Sequence, residues 1–469
     1  MVVGEIAEAV DLLVVGAGPG GYAAALRGAQ LGRDVTLVDR DGEDGVGGVC
    51  LRVGCVPSKA LIELADLRHR TAAATGAGLT GAAPAPDLAA FQRHRAVIVD
   101  RLTGGVRGLL RGAGVRVIGG TLRFTRPDQA VVEPTSGPPR FLEFRDVVIA
   151  TGSRPVPLPA LHHDGVVVLD STDALALDAV PDTAAIVGAG YIGVELGTAL
   201  AKLGTSVTIV EQGDRILPTL DASLAGPVSR RLAELGVDVL VGATAQAYDS
   251  GALVVDQGAE RLDVKAEKVI VAVGRRPNTD DLGLDRLGVT PGPGGLLPVG
   301  PDRLVRPRVA AIGDVTAGPA LAHKAYAEAG IAAEALSGRR AAFDPYGIPA
   351  VVFSDPEIAT VGLAADQARA EGFHVKISSI PMAANGRAAT IGSPAGYAQL
   401  VAEADTGALL GVHVVGPHAS ELIAEGTLAI ELGATAEDLA ETIHPHPTIA
   451  EHLEEAARAM LGRPINSAG

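Results

Sequence analysis

Short apolar runs recur along the chain, and the most regular of them lead into glycine turns. Residues 12–15 (LLVV) enter GAGPGG, with glycines at 16, 18 and 21. An alanine-rich stretch with helical spacing follows, and a second apolar run, residues 35–38, ends in Asp39. This order predicts strand, tight turn, helix and strand, closed by an acid. Glycines in such a turn let the backbone approach a pyrophosphate, and the helix N-terminus favours its charge. The acid is placed to accept from a ribose hydroxyl.

Glycine fills 60 of the 469 positions, so one GxGxxG carries little weight by itself. The whole pattern recurs, however. Residues 184–187 (AAIV) enter GAGYIG, with glycines at 188, 190 and 193, and the run 207–210 ends in Glu211. Gly16 to Asp39 and Gly188 to Glu211 span the same distance in sequence. A second repeated element closes each copy: VVIATGSRP at 147–155 and VIVAVGRRP at 269–277. Two related dinucleotide-binding units are expected, one nested inside the other.

Beyond residue 346 the glycine patterns stop. Residues 348–362 and 396–416 read as strands, and 418–433 and 451–461 as helices. Residues 76–90, rich in Gly, Ala and Pro, read as a surface loop. The expected fold is therefore α/β: two nested Rossmann-like units plus a C-terminal α+β domain. The expected boundaries are 1–154 and 274–345 for the first unit, 155–273 for the second, and 346–469 for the C-terminal domain.

Composition narrows the class. Hydrophobic residues make up 47 % and charged residues 20 %, which predicts a folded globular chain. The apolar stretches are short and broken, so no membrane-spanning helix is expected. The net charge of −16 opposes nonspecific binding to nucleic acid or an anionic membrane. Residues 1–10 carry Glu5 and Glu8 and no basic run, so no secretory signal and a cytoplasmic location are expected. Of 39 basic residues only six are Lys, at 59, 202, 265, 268, 324 and 376.

The chain has two cysteines, Cys50 and Cys55, both in GGVCLRVGCVPSKAL. On a regular helix, positions five apart lie ~8.6 Å from each other, beyond the ~7 Å reach of a disulfide. A bridge here requires a widened first turn, for which Gly54 supplies freedom. Such a bridge is a redox device more than a staple, since a short loop stabilises a fold little. In the C-terminal region, HPHPTIAE places His446 between Pro445 and Pro447, with Glu451 following. The prolines restrict the backbone, which suits a general base oriented by a carboxylate. His444 is the rival candidate.

Together these segments resemble the pyridine nucleotide–disulfide oxidoreductases with an active-site CxxxxC, most closely the dihydrolipoamide dehydrogenase branch. The matching segments include GAGPGGYAAALRGAQLG (16–32), GCVPSKAL (54–61), GAGYIGVELG (188–197), AIGDV (311–315), LAHKA (321–325) and HPHPT (444–448). The stretch 213–228 is most similar to forms serving branched-chain 2-oxo acid dehydrogenase complexes.

The resemblance implies that FAD is bound by Gly16, Gly18, Gly21, Asp39, Lys59, Gly120, Thr151, Gly152, Ser153, Asp314, Ala320, Leu321, Ala322 and His323. It implies that NAD is bound by Gly188, Gly190, Tyr191, Ile192, Gly193, Glu195, Glu211 and Gly274. Glu211 suits an unphosphorylated ribose because its charge repels a 2′-phosphate. Cys50, Cys55, His446, Glu451, Lys59 and Glu195 are implied as the catalytic set, with no metal. A homodimer is implied in which His446 serves the partner's cysteines. The implied partner is the lipoyl-bearing acyltransferase core of a 2-oxo acid dehydrogenase complex. The acidic segment Glu451, Glu454 and Glu455 is expected near the two-fold axis of that dimer, as the docking face for a basic module of that core.

Three positions depart from the family pattern: Val49, Arg52 and Pro445. Arg52 either faces the two sulfurs, where its charge stabilises a thiolate, or points to solvent or a carboxylate. Two other readings remain open: a reductase of another low-molecular-weight disulfide, or a redox-inactive flavin-binding scaffold.

Overall fold

The computed structural model describes residues 7–82 and 84–467. Most of the segment 1–10, expected to carry no secretory signal, lies outside them, as do the outermost ends of the expected first and last domains. No helix among the described residues is long and apolar enough to cross a membrane.

The run 12–15 lies in the strand Glu8–Val15, whose residues Leu12, Leu13 and Val14 are completely buried. It sits between two parallel neighbours, Val35–Asp39 and Arg140–Ile149. The sheet continues on one side to Arg116–Gly119 and on the other to Val309–Ala311 and Leu304–Arg306. Near-continuous apolar sequence is what a parallel strand covered on both faces requires.

The second unit repeats the plan. Thr183–Val187 lies between Ser206–Val210 and Lys268–Val271, and Asp238–Leu240 and Val168–Leu169 complete a parallel sheet. The strand Val309–Ala311 returns to the first sheet after this unit, so the second is inserted into the first. The two repeated Arg-Pro segments pair with each other. Ser153–Pro155 and Arg275–Pro277 form an antiparallel ribbon in which Arg154 opposes Arg276. The duplicated element thus joins the copies at their seam.

The C-terminal region is an antiparallel sheet in the order Ala350–Val352, Glu357–Gly362, Leu409–Gly416, Tyr397–Glu403, Val375–Pro381. The helices Ala419–Glu431 and Glu451–Met460 pack on it. The edge strand Val375–Pro381 was not expected from the sequence. Its pattern misleads, because Ile377 is exposed while Ser378 is buried with its hydroxyl donating to the Ala456 carbonyl at 2.7 Å. The expected loop at 76–90 ends earlier than its composition suggests. Asp87 caps the helix Leu88–Gly112 by accepting from the Ala90 N–H.

Candidate functional site

The two glycine turns are built alike. Gly16 and Gly188 have φ of +99° and +105°. A Cβ on Gly21 would fall 1.7 Å from the Gly16 carbonyl oxygen, and one on Gly193 would fall 1.9 Å from that of Gly188. The acids are built in alike. Asp39 accepts from the backbone N–H of Ala17 (2.8 Å) and of Asp41 (3.1 Å). Glu211 accepts from Ala189 and Gly213, both at 2.7 Å. The helices that follow, Pro19–Gln30 and Tyr191–Leu203, have Gly18 and Gly190 at their N-caps and no side-chain cap. Their first-turn N–H groups can therefore donate to a phosphate. Gly18 is also pressed by Gly48, whose added Cβ would lie 2.5 Å from the Gly18 Cα. At Gly16, Gly21, Gly188 and Gly193 the turns leave no room for a side chain, and the open space beside Gly18 and Gly190 fits a dinucleotide.

A cavity of about 890 Å³ extends from the first glycine turn to the cysteines. Gly16, Gly18, Asp39, Gly120, Thr151, Gly152, Ser153, Asp314, Ala320 and Ala322 line it, while Gly21 packs behind Gly16. Leu321 and His323 are off its wall. Alternate residues of this segment face away, and the His323 Nε2 lies 2.7 Å from the Pro349 carbonyl oxygen. Of the second fingerprint, Tyr191, Ile192 and Glu195 reach the same cavity, whereas Gly188, Gly190, Gly193, Glu211 and Gly274 lie away from it. The helix Tyr191–Leu203 is therefore where the two nucleotide sites adjoin.

Sequence reasoning missed the support of Asp314. The Ser153 hydroxyl donates to Asp314 at 2.6 Å, and Arg275 donates to the Ser153 hydroxyl (2.8 Å) and carbonyl (2.6 Å). The repeated Arg-Pro segments were the available signal.

Cys50 and Cys55 both line the cavity. They do not share one widened helical turn. Cys50 is in the short helix Gly48–Arg52, Cys55 begins the helix Cys55–Ala73, and the chain breaks between them at Val53 and Gly54. Both are thiols here, joined by a hydrogen bond. Donation from Cys50 draws the Cys55 thiol down to about 7, against burial and with help from the Lys59 charge. The same hydrogen bond, followed by burial, pushes the Cys50 thiol up. The pair is thus polarised, with Cys55 as the incipient thiolate.

Arg52 turns toward a carboxylate, its Nη1 lying 3.1 Å from Asp41. Lys59, one turn into the second helix, lies 2.8 Å from Glu195, whose other oxygen accepts from the Phe353 N–H at 2.9 Å.

The His446 Nδ1 lies 2.7 Å from Glu451, and its side chain is 78 % exposed. His444 is 5 % exposed and bonded on both ring nitrogens, to Thr442 and to Glu425, so it is structural. His446 is not part of the cavity that the cysteines line in the same chain. The three acids of the expected docking face each have partners within the chain. Glu451 is engaged by His446, Glu454 by Arg458 and His444, and Glu455 accepts from the Ile465 and Asn466 N–H groups.

Residues 10–329 match the model of the pyridine nucleotide-disulphide oxidoreductases, and residues 348–457 match the dimerisation domain of the same family. The chain is 46 % identical to dihydrolipoyl dehydrogenase 2 of Haloarcula marismortui, over 100 % of both proteins. It is 44 % identical to dihydrolipoyl dehydrogenase of Geobacillus stearothermophilus, over 99 % of each. The crystal structure of LpdA from Mycobacterium tuberculosis is similar with a TM-score of 0.88 at 29 % identity, covering 96 % of this chain and 100 % of that one. With matches that take in both the duplicated nucleotide-binding region and the C-terminal sheet, the chain belongs to the pyridine nucleotide-disulphide oxidoreductase family.

Proposed function

We propose that this chain is a dihydrolipoyl dehydrogenase that oxidises protein-bound dihydrolipoyl groups through Cys50 and Cys55. The observation that carries the reading is the pair of thiols, Cys50 and Cys55, on the wall of a cavity that begins at one glycine turn and abuts the helix of the other, with Lys59 on the same wall. A redox-inactive scaffold has no use for two thiols and a lysine gathered on one cavity wall.

In the oxidised enzyme Cys50 and Cys55 form a disulfide. His446 of the partner subunit takes the proton from one dihydrolipoyl thiol, and Glu451 stabilises the charged ring. The thiolate attacks the Cys50 sulfur, a substrate–Cys50 bond forms, and the Cys50–Cys55 bond breaks, leaving a thiolate on Cys55. Lys59 stabilises that thiolate. The second substrate thiol attacks the substrate sulfur bonded to Cys50 and its proton passes to Cys50, which leaves as a thiol. The lipoyl disulfide departs, and the first proton stays on His446 of the partner subunit opposite the Cys55 thiolate. FAD and NAD, when bound, would supply the remaining two-electron chemistry, which restores the Cys50–Cys55 disulfide and yields NADH. Gly16, Gly18, Asp39, Ser153 and Asp314 would hold the former, and Gly188, Gly190 and Glu211 the latter.

The active unit is a homodimer, which acts in the cytoplasm on the acyltransferase core of a 2-oxo acid dehydrogenase complex. A panel of disulfides with NADH tests the reading. Lipoamide is expected to turn over far faster than glutathione disulfide or mycothione, and a preference for either of the others overturns it.

A further inference from the structure

The helices Cys55–Ala73 and Tyr191–Leu203 pack together, and charged side chains cross between them at two levels. At the cavity end Lys59 meets Glu195 at 2.8 Å. Two turns further along both helices, Asp66 meets Lys202. The polarity is reversed, with Lys on the first helix at one level and on the second helix at the next. Both steps are heptads, so each helix presents its two charges on one stripe. A slip of either helix would break both pairs.

Each level is also tied to the turn between the first two strands of the C-terminal sheet, Ala350–Val352 and Glu357–Gly362. At the first, the Phe353 N–H donates to Glu195 and the Lys59 ammonium lies 4.5 Å from the Phe353 ring centroid. At the second, Asp355 lies 2.8 Å from Lys202 and 2.9 Å from Arg231, which reaches His69 at 2.9 Å. The Lys202 side chain is only 5 % exposed. Burying an ammonium among carboxylates is a poor source of stability compared with apolar packing, and its best-attested use is to fix register. Lys202 does not line the cavity and takes no part in the thiol chemistry.

We propose that Lys202 is a positioning residue: with Asp66 and Asp355 it fixes the register in which Lys59 is presented to the cysteines and the flavin. The same cluster couples that register to the seating of residues 353–355, and hence of the C-terminal sheet. The inference rests on the reading of Lys59 as the cation beside the redox pair.

The test is a pH titration of the two-electron-reduced, FAD-loaded protein, following the thiolate–flavin absorbance, with melting temperature and FAD content as controls of folding. Lys59→Met is expected to raise the midpoint, because a cation beside the thiolate is lost. Lys202→Met is expected to raise it by at least about 0.3 pH unit, roughly a twofold fall in the thiolate-to-thiol ratio at the original midpoint. Lys202→Arg should restore it, and Lys202→Met should add nothing in a Lys59→Met background, the sign of a coupled pair. Should Lys202→Met fail to fold, Asp66→Asn removes the crossing pair while leaving Lys202 on Asp355, and the same rise is expected. A midpoint moved by Lys59→Met but not by Lys202→Met or Asp66→Asn overturns the ladder alone, as does a fully additive double variant. A midpoint unmoved by Lys59→Met overturns the placement of Lys59, and the role of Lys202 falls with it.

Discussion

His446 and Glu451 lie 2.7 Å apart, and the imidazole they orient is open to solvent on its far side. A ring fixed through Nδ1 keeps Nε2 available for a proton from outside its own chain. Replacing His446 with Gln should slow oxidation of dihydrolipoamide by about 10²–10⁴-fold, the usual weight of a general base. Reduction of the flavin by NADH should stay close to wild type, so stopped-flow measurement of the two half-reactions separates them. His444→Gln should instead lower the melting temperature, because it weakens the buried contact to Glu425 and leaves Glu454 with Arg458 alone.

The pair Cys50 and Cys55 sets a pH dependence with a definite sign. The Cys55 thiol is drawn down to about 7 by the hydrogen bond from Cys50 and by Lys59. In the reduced enzyme the thiolate should therefore form as pH rises through about 7 and be lost below it. Cys50→Ser should abolish turnover of lipoamide with FAD retained, and Cys55→Ser should also remove the thiolate–flavin absorbance. An absorbance that survives in Cys55→Ser would assign the thiolate to the wrong sulfur.

The duplicated turns predict separable losses. Gly193→Ala puts a methyl 1.9 Å from the Gly188 carbonyl oxygen, so the second turn must open while the first is untouched. FAD content should remain at one per chain and the KM for NADH should rise at least about tenfold, the effect of a ~1.4 kcal/mol loss in binding. Gly21→Ala should do the reverse and yield colourless protein. Absorbance spectra and NADH titrations of the two variants decide it.

Glu328 is fully buried beneath the turn that carries Asp314. Its carboxylate accepts from the Gly313 N–H at 2.6 Å and from Arg303 at 2.8 Å, and Lys324 lies 3.5 Å away. Glu328→Ala leaves two cations without their counter-charge, at a cost of about 3–5 kcal/mol. The Gly313–Val315 turn should loosen with it. Chemical denaturation should show the loss, and FAD should dissociate more readily than from wild type on dilution.

Local backbone rules made much of this protein readable from its sequence. A glycine at positive φ, a strand that must be apolar on both faces and an acid at the end of the next strand all act within a few dozen residues, so the nucleotide-binding units showed twice. The redox cysteines and the His446–Glu451 pair were visible for the same reason, being five positions apart in each case. What only the tertiary structure decided are contacts between residues far apart in the chain. Arg52 had two destinations open to it, and the loop after Val35–Asp39 brought Asp41 within 3.1 Å. The acids at 454 and 455 read as part of a docking face until folding supplied Arg458, His444 and the backbone of residues 465–466 as partners. Lys202 was one lysine among six, unremarked until two helices set it beside Asp66 and Asp355. Periodicity reports which face of an element turns inward, but the identity of the facing element, and so the fate of each buried charge, is settled by packing at long range.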